Sequence, residues 1–240
     1  MKQTFNITKK ELREYFSSPV AYIVIGVFAL IVGVYFSRNV FVDNQANLRK
    51  LFEFIPLVWI VIIPALTMRS FAEEIKNGTL EVLMTLPVTK LQIIFGKFLS
   101  NLVVALFMLL STLPAFITVN YLGNPDIGQT ITAYIGLLLV ASVYIIIGLA
   151  ISLNSKNQII AFIISSFLLA ILYMVGEAEV LKIIPVKYHQ IMEFVGLGAH
   201  FRSIARGVLD SRDILYYLSV MILSFMITLF SFNKIQNKGK

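Results

Sequence analysis

The chain has 240 residues, of which 58% are hydrophobic and 14% are charged, whereas soluble domains are about 45–50% apolar and about 25% charged. So few charges cannot cover a soluble protein of this length, and the composition excludes an ordinary soluble fold. The chain has no cysteine and two histidines, which excludes disulfides and thiolate chemistry and leaves little for a catalytic metal.

Residues 1–18 predict a short amphipathic helix that lies along the inner membrane surface. Thr8 and Glu11 have the spacing of a capping box, in which each side chain satisfies a backbone amide of the other residue. Leu12 and Tyr15 share an apolar face opposite the basic residues. A solvated basic tail is the alternative interpretation of this segment.

Six apolar segments approach the length needed to cross a bilayer, because a helix rises about 1.5 Å per residue through about 30 Å of hydrocarbon. They lie at about Val20–Ser37, Phe54–Met68, Phe98–Asn120, Ile131–Leu153, Asn157–Val175 and Ile214–Phe232. The second is short and contains Pro56 and Pro64, so we expect an irregular helix there. We therefore expect an all-α polytopic membrane protein, with residues 1–240 forming one six-span domain.

The distribution of charge favours cytoplasmic termini. The N-terminal tail, the 69–97 loop, the 154–156 turn and the C-terminal tail together hold twelve bases and five acids, whereas the opposite side holds eight of each. Because the charges fall between apolar blocks, the net charge of +7 indicates membrane topology, and we expect no nucleic-acid partner. The six spans contain no Asp, Glu, Lys, Arg or His, which disfavours a proton-driven carrier and an intramembrane enzyme.

The 69–97 loop predicts two short helices on the cytoplasmic side. The first covers about Arg69–Lys76, with an i,i+4 pair of Arg69 and Glu73, and ends at Asn77-Gly78. The second begins at Thr79 and ends at Leu86-Pro87. Such ordered helices either pack beneath the bundle or form a docking surface for a cytoplasmic partner.

The third span is expected to begin with a second capping box. Thr89 and Gln92 have the required spacing. Lys90 and Lys97 follow in its first turns, where long basic side chains reach the lipid headgroups.

The long segment 176–213 alternates apolar and charged residues and has no run long enough to span. We expect short amphipathic or re-entrant helices at the outer leaflet, broken at Gly196 and Gly198. His189 and His200 are eleven residues apart with no third ligand candidate, which favours hydrogen-bonded histidines over a metal site.

No catalytic or nucleotide-binding motif is present. The sequence has no G-x-x-x-x-G-K-[ST] loop, no G-x-S-x-G elbow and no H-E-x-x-H helix. We therefore expect that the chain is not an enzyme and binds no cofactor, and that a separate polypeptide powers any active transport.

Two stretches resemble one transporter family. The first combines Met68-Arg69-Ser70-Phe71-Ala72-Glu73-Glu74 with Asn77-Gly78-Thr79-Leu80-Glu81, Leu86-Pro87-Val88 and Gly96-Lys97, and it resembles the cytoplasmic loop of ABC-2 type transporter permeases. The second, His200-Phe201-Arg202-Ser203-Ile204-Ala205-Arg206-Gly207-Val208-Leu209-Asp210 with Arg212-Asp213, is similar to the gliding-motility permeases. The nitrous-oxide-reductase maturation permeases are close relatives of that subgroup.

The resemblance implies an exporter half in a bacterial cytoplasmic membrane. Two permease protomers, identical or paired with a sister permease, would sit on a cytoplasmic ATPase dimer that binds ATP and magnesium, and an extracytoplasmic accessory protein is a further expected partner. It assigns the coupling role to Arg69, Phe71, Glu73, Glu74, Ile75, Asn77, Gly78, Thr79 and Glu81, with Phe71 and Ile75 as docking anchors. The outer motif comprises His200, Phe201, Arg206, Gly207, Asp210 and Asp213. A non-transporting anchor or scaffold of a motility or secretion complex is the alternative function.

Overall fold

The computed structural model describes residues 2–41, 48–85, 87–123 and 125–238, and all regular structure in these ranges is helical. The helices are α1 (Lys2–Ser17), α2 (Val20–Phe41), α3 (Leu48–Lys76), α4 (Thr79–Thr85), α5 (Lys90–Leu110), α6 (Leu113–Leu122), α7 (Ile127–Leu153), α8 (Gln158–Met174), α9 (Ala178–Leu181), α10 (His189–Val195), α11 (Leu197–Ala205) and α12 (Ser211–Lys238). A 3-10 turn covers Val186–Tyr188. The predicted all-α class is confirmed.

Five helical stretches among the described residues are long and apolar enough to cross a membrane: α2, α3, α5 with α6, α7 and α12. The chain is therefore a multi-pass membrane protein. The remaining predicted span, Asn157–Val175, forms the apolar helix α8, which has 17 residues. It is about 26 Å long at about 1.5 Å per residue, somewhat less than a hydrocarbon core of about 30 Å. The count of six spans stays a prediction.

One predicted boundary is wrong, and one predicted span contains a break. The second span and the first loop helix form one continuous helix, α3, with Pro56 and Pro64 buried inside it. Packing on both sides holds these prolines in a helix that their local preference would interrupt. Conversely, the third predicted span is interrupted at residues 111–112, between α5 and α6. Pro114 explains the interruption, because it has no N–H to donate to the carbonyl four residues earlier.

Helix α7 lies at the centre of the bundle. In its most apolar stretch 72% of the residues are buried, against 22% in α2 and 17% in α12. Glycines let its neighbours approach closely: a Cβ at Gly148 would lie 2.2 Å from Oγ1 of Thr67 on α3, and one at Gly136 would lie 2.6 Å from Cγ2 of Ile204 on α11. The peripheral helices α2 and α12 leave large apolar side chains exposed, as lipid-facing helices do.

The two ends of the bundle carry different structures. At one end, which we call the α4 end, Gln3 of α1 donates to the Pro87 carbonyl (2.9 Å), and Lys90 of α5 donates to Asn233 of α12 (2.5 Å). At the opposite α11 end, Gln129 at the start of α7 donates to the Ala205 carbonyl (2.9 Å). Both terminal helices therefore reach the same end as the 69–97 segment.

Candidate functional site

Three helices meet around Lys97 at the α4 end. Its ammonium nitrogen lies 2.9 Å from Oε1 of Glu11 on α1 and 2.8 Å from Oε1 of Glu74 on α3. The Lys97 side chain, on α5, is 2% exposed. We call these three residues the Lys97 junction. One buried ammonium thus joins α1, α3 and α5.

The charges of the Lys97 junction explain why a lysine can be buried there. An unpaired buried ammonium would be costly, but two carboxylates compensate it. The Phe71 ring adds a third contact, with its centroid 5.1 Å from the nitrogen. Glu74 uses one oxygen in the junction, and its Oε2 is buried without a hydrogen-bond partner among the described residues.

A polar face of α1 extends the contact on both sides of the junction. Thr8, Glu11 and Tyr15 share this face because they are spaced three and four residues apart. The Thr8 hydroxyl lies 3.2 Å from the Gly96 carbonyl, and the Tyr15 hydroxyl donates to Oδ1 of Asn101 (3.0 Å). Burial is the main cause that raises the pKa of Tyr15 to about 12, so its phenol keeps the donated proton at neutral pH.

The predicted capping box at Thr8 and Glu11 is wrong, because α1 covers Lys2–Ser17 and both residues lie in its interior. They face α5 instead. Gly96 permits this approach, since a Cβ there would lie 2.5 Å from Cγ2 of Ile7. Because α1 covers this side of α5, Lys97, which was expected at the lipid headgroups, is buried inside the protein.

The hydroxyl of Ser152 on α7 makes hydrogen bonds with the backbone of α3 close to the Lys97 junction. Ser152 Oγ accepts from the N–H groups of Phe71 and Ala72, each at 3.1 Å, and donates to the Met68 carbonyl at 3.0 Å. A side chain inserted between residues i and i+4 of a helix is a recognised cause of bending. The site coincides with the predicted boundary between the second span and the loop, so α3 is continuous but has a candidate hinge at this point.

Phe71 belongs to the interior and not to the surface. Its side chain is 0% exposed and packs edge-to-face on Phe232 of α12, with the ring centroids 6.1 Å apart. The expectation that Phe71 anchors a partner directly is therefore wrong. Ile75, one turn later, is half-buried.

The other expected coupling residues are exposed, apart from Glu74. They are Arg69, Glu73, Asn77, Gly78, Thr79 and Glu81. Gly78 has φ +71° and ends α3 as predicted, and α4 begins at Thr79 as predicted. The ion pairs found among the described residues do not include the predicted pair of Arg69 and Glu73. We call the six exposed residues the α4-end surface.

Two predictions on either side of Leu86, which lies outside the described residues, can be compared with the structure. Helix α4 ends at Thr85, close to the predicted end. The predicted capping box at the start of α5 is confirmed: Thr89 accepts from the Gln92 N–H (3.3 Å), and the Gln92 side chain accepts from the Thr89 N–H (2.9 Å).

A cavity of about 530 Å³ opens between α1, the end of α3 and α4. Its lining joins the α4-end surface to the Lys97 junction and carries both signs of charge, including Glu14, Arg69, Glu73 and Lys97. Residues of α4 and of the Lys97 junction therefore line the same cavity.

A family model described as ABC-2 family transporter protein matches residues 5–234, nearly the whole chain. The chain belongs to this family. A search of curated proteins gave no match. Membership identifies this ABC-2 protein as a membrane permease subunit and is consistent with its multi-pass fold.

In this ABC-2 permease the expected outer-motif residues lie together at the α11 end. His200 Nδ1 is 2.6 Å from Oδ1 of Asp213, and Phe201 is fully buried against α7. Asp210 accepts from the Arg212 N–H (2.9 Å) in the first turn of α12. The motif thus fastens α11 to α7 and α12.

Gly207 and Arg206 complete the turn between α11 and α12. Gly207 has φ +91°, a conformation that favours glycine, and a Cβ there would lie 3.3 Å from the Gln129 backbone. Arg206 donates from Nε to the Arg202 carbonyl (3.1 Å). His189, the other histidine, lies 2.9 Å from the Ile184 carbonyl. No group of three metal-ligating side chains occurs within the residues the structure describes.

Proposed function

We propose that this ABC-2 permease is the membrane half of an ATP-driven exporter, and that a separate cytoplasmic ATPase dimer docks on the α4-end surface. The observation that carries the proposal is the direct connection between this exposed surface and the buried Lys97 junction. In this proposal the α4 end is cytoplasmic, both termini lie there, and the membrane is the cytoplasmic membrane of a bacterium.

The coupling step follows from the rigidity of the contacts. Closure of the ATPase would push on α4 and the last turns of α3, which carry Glu73 and Glu74. Because Glu74 is bonded to Lys97, and Lys97 to Glu11, the same push reaches α5 and α1. Breaking a buried ion pair costs about 3–5 kcal/mol, so the three helices move together as a rigid body. The Ser152 contact gives α3 a point at which to bend.

ATP and magnesium belong to the ATPase in this scheme. The chain's own part is mechanical: it receives the push, moves its spans, and opens a path at the interface with a second permease protomer, identical or related. The resemblance of the outer motif to the gliding-motility permeases supports a finer version, in which the output is force transmission to an extracytoplasmic partner.

A charge reversal tests the docking surface. Glu73→Lys should reduce both co-purification of a P-loop ATPase and ATP hydrolysis by the complex, since Glu73 is exposed and away from the packed interior. Glu179→Lys is the matched control, because Glu179 is an exposed glutamate beside the opposite end of the bundle. Equal effects of the two variants, or a complex that hydrolyses no ATP, would favour the scaffold function instead.

A further inference from the structure

His200 is held between two oxygen acceptors at the α11 end. Its Nδ1 lies 2.6 Å from Oδ1 of Asp213 on α12, and its Nε2 lies 3.1 Å from the carbonyl oxygen of Phe194 on α10. The Tyr216 ring stacks on the imidazole with the centroids 3.9 Å apart. One side chain of α11 therefore connects α10 to α12.

Hydrogen bonds at both ring nitrogens require a definite number of protons in this pair. A carbonyl oxygen can only accept, so a hydrogen bond to Phe194 requires a hydrogen on Nε2. The second contact also needs a hydrogen, which sits either on Nδ1, facing an ionised Asp213, or on the Asp213 carboxyl, facing the Nδ1 lone pair. In both arrangements His200 and Asp213 together hold two protons, one more than a neutral imidazole and a carboxylate.

We propose that His200 and Asp213 form a proton-dependent latch that holds α10 on α12. When the pair releases one proton to water, either an Nδ1 lone pair faces a carboxylate oxygen or an Nε2 lone pair faces a carbonyl oxygen. Each arrangement is repulsive at the observed distances, so the latch opens as the pH rises and closes as it falls.

The other charged side chains near His200 make no hydrogen bond to its ring among the described residues, so they do not change the number of protons that the pair needs. Glu193, Arg202 and Arg206 line the adjoining cavity with His200. Arg202 is paired with Glu177 (3.3 Å) and donates to the Gly176 carbonyl (2.9 Å).

From α12, Tyr216 stacks on the imidazole, and its hydroxyl donates to the Val195 carbonyl. Tyr217 donates to the Leu197 carbonyl (2.7 Å). The carboxyl of Asp213 is thus the charged group hydrogen-bonded to the ring.

Besides the His200 contact, α10 is joined to α12 at its C-terminal end, where Tyr216 donates to the Val195 carbonyl and its ring contacts Phe194. In the described part of the chain, the earlier part of α10 has no such contact with α12. Helix α10 has seven residues and none of them is buried, whereas α11 buries Leu197, Phe201 and Ile204. A segment with few buried contacts opens at low free energy. Loss of the His200 contact should therefore let the first turn of α10 move away from α12, with Val195 still held by Tyr216, while α11 stays in place.

Spin labels can measure the opening directly, because the natural chain has no cysteine. Ile191 on α10 and Leu215 on α12 are exposed positions for a pair of labels in the full chain in nanodiscs. We expect one short interlabel distance at low pH and a growing longer population as the pH rises. Past the midpoint the closed-to-open ratio should fall about tenfold per pH unit, as release of one proton requires.

Two substitutions separate the latch from general stability. Asp213→Asn introduces an amide donor for the Nδ1 lone pair of a neutral imidazole, so α10 should stay closed over the whole pH range. His200→Phe should give the long distance at every pH, and His189→Gln should keep the wild-type transition. The proposal would be overturned by a wild-type interlabel distance that does not change with pH, or by a transition that persists in Asp213→Asn.

Discussion

Replacement of Lys97 by methionine removes the charge at the centre of the Lys97 junction and leaves its carboxylates without a counter-ion. Oε1 of Glu11 and Oε1 of Glu74 both lie within 2.9 Å of the same nitrogen, so two like charges would face each other in a largely buried place. Removal of one partner from a buried pair typically costs about 3–5 kcal/mol. We therefore expect Lys97→Met to lower the free energy of unfolding by about that amount.

The measurement is a denaturant titration in mixed micelles, followed by the fluorescence of Trp59. This residue is the sole tryptophan and is fully buried. The triple variant Lys97→Met, Glu11→Gln, Glu74→Gln should regain most of the lost stability, because it leaves no buried charge unpaired. It should not regain coupling to the proposed ATPase. A loss below about 1 kcal/mol for Lys97→Met, as exposed pairs give, would refute the reasoning.

Three further outcomes follow from contacts at the same end. Gly96→Val should destabilise the protein by about 1–3 kcal/mol through its clash with Ile7, and a second change, Ile7→Ala, should recover part of the loss in the same titration. Ser152→Ala should lower the free energy of unfolding by about 1–3 kcal/mol, because the contacts to the α3 backbone are lost. A stability equal to that of the wild type would contradict the hinge hypothesis. Burial raises the pKa of Tyr15 from 10.0 to about 12, so its contribution to stability is present below about pH 10 and is lost as the pH rises towards 12. Unfolding titrations should therefore show wild type losing stability relative to Tyr15→Phe over that interval, and parallel curves would contradict this.

The sequence was sufficient to predict the features that depend on local chemistry. The capping box of Thr89 and Gln92 needs only two side chains and the backbone between them. The stop of α3 before Asn77-Gly78 and the start of α4 at Thr79 follow from the same kind of short-range preference. Long apolar runs predicted the spanning helices, because the thickness of the bilayer sets the length that a spanning helix needs.

The Lys97 junction depends on tertiary packing and could not be predicted in this way. Glu11 and Glu74 are distant from Lys97 in the chain, and each had a plausible local role as a capping or surface residue. The cue was Gly96 beside Lys97, because a glycine on a helix face allows another helix to approach. Phe71 shows the same limit: its motif indicated a docking residue, while its helix face placed it inside.

The central claim, that a separate ATPase drives this permease from the α4 end, can be tested most directly by cross-linking. Because the chain has no cysteine, Glu73→Cys and Glu179→Cys each introduce a single reactive thiol, one at each end of the bundle. In native membranes, Glu73→Cys should cross-link to a P-loop ATPase identified by mass spectrometry, and addition of ATP should change the yield. Glu179→Cys should give no such product. A P-loop ATPase linked to neither position, or equally to both, would contradict the account.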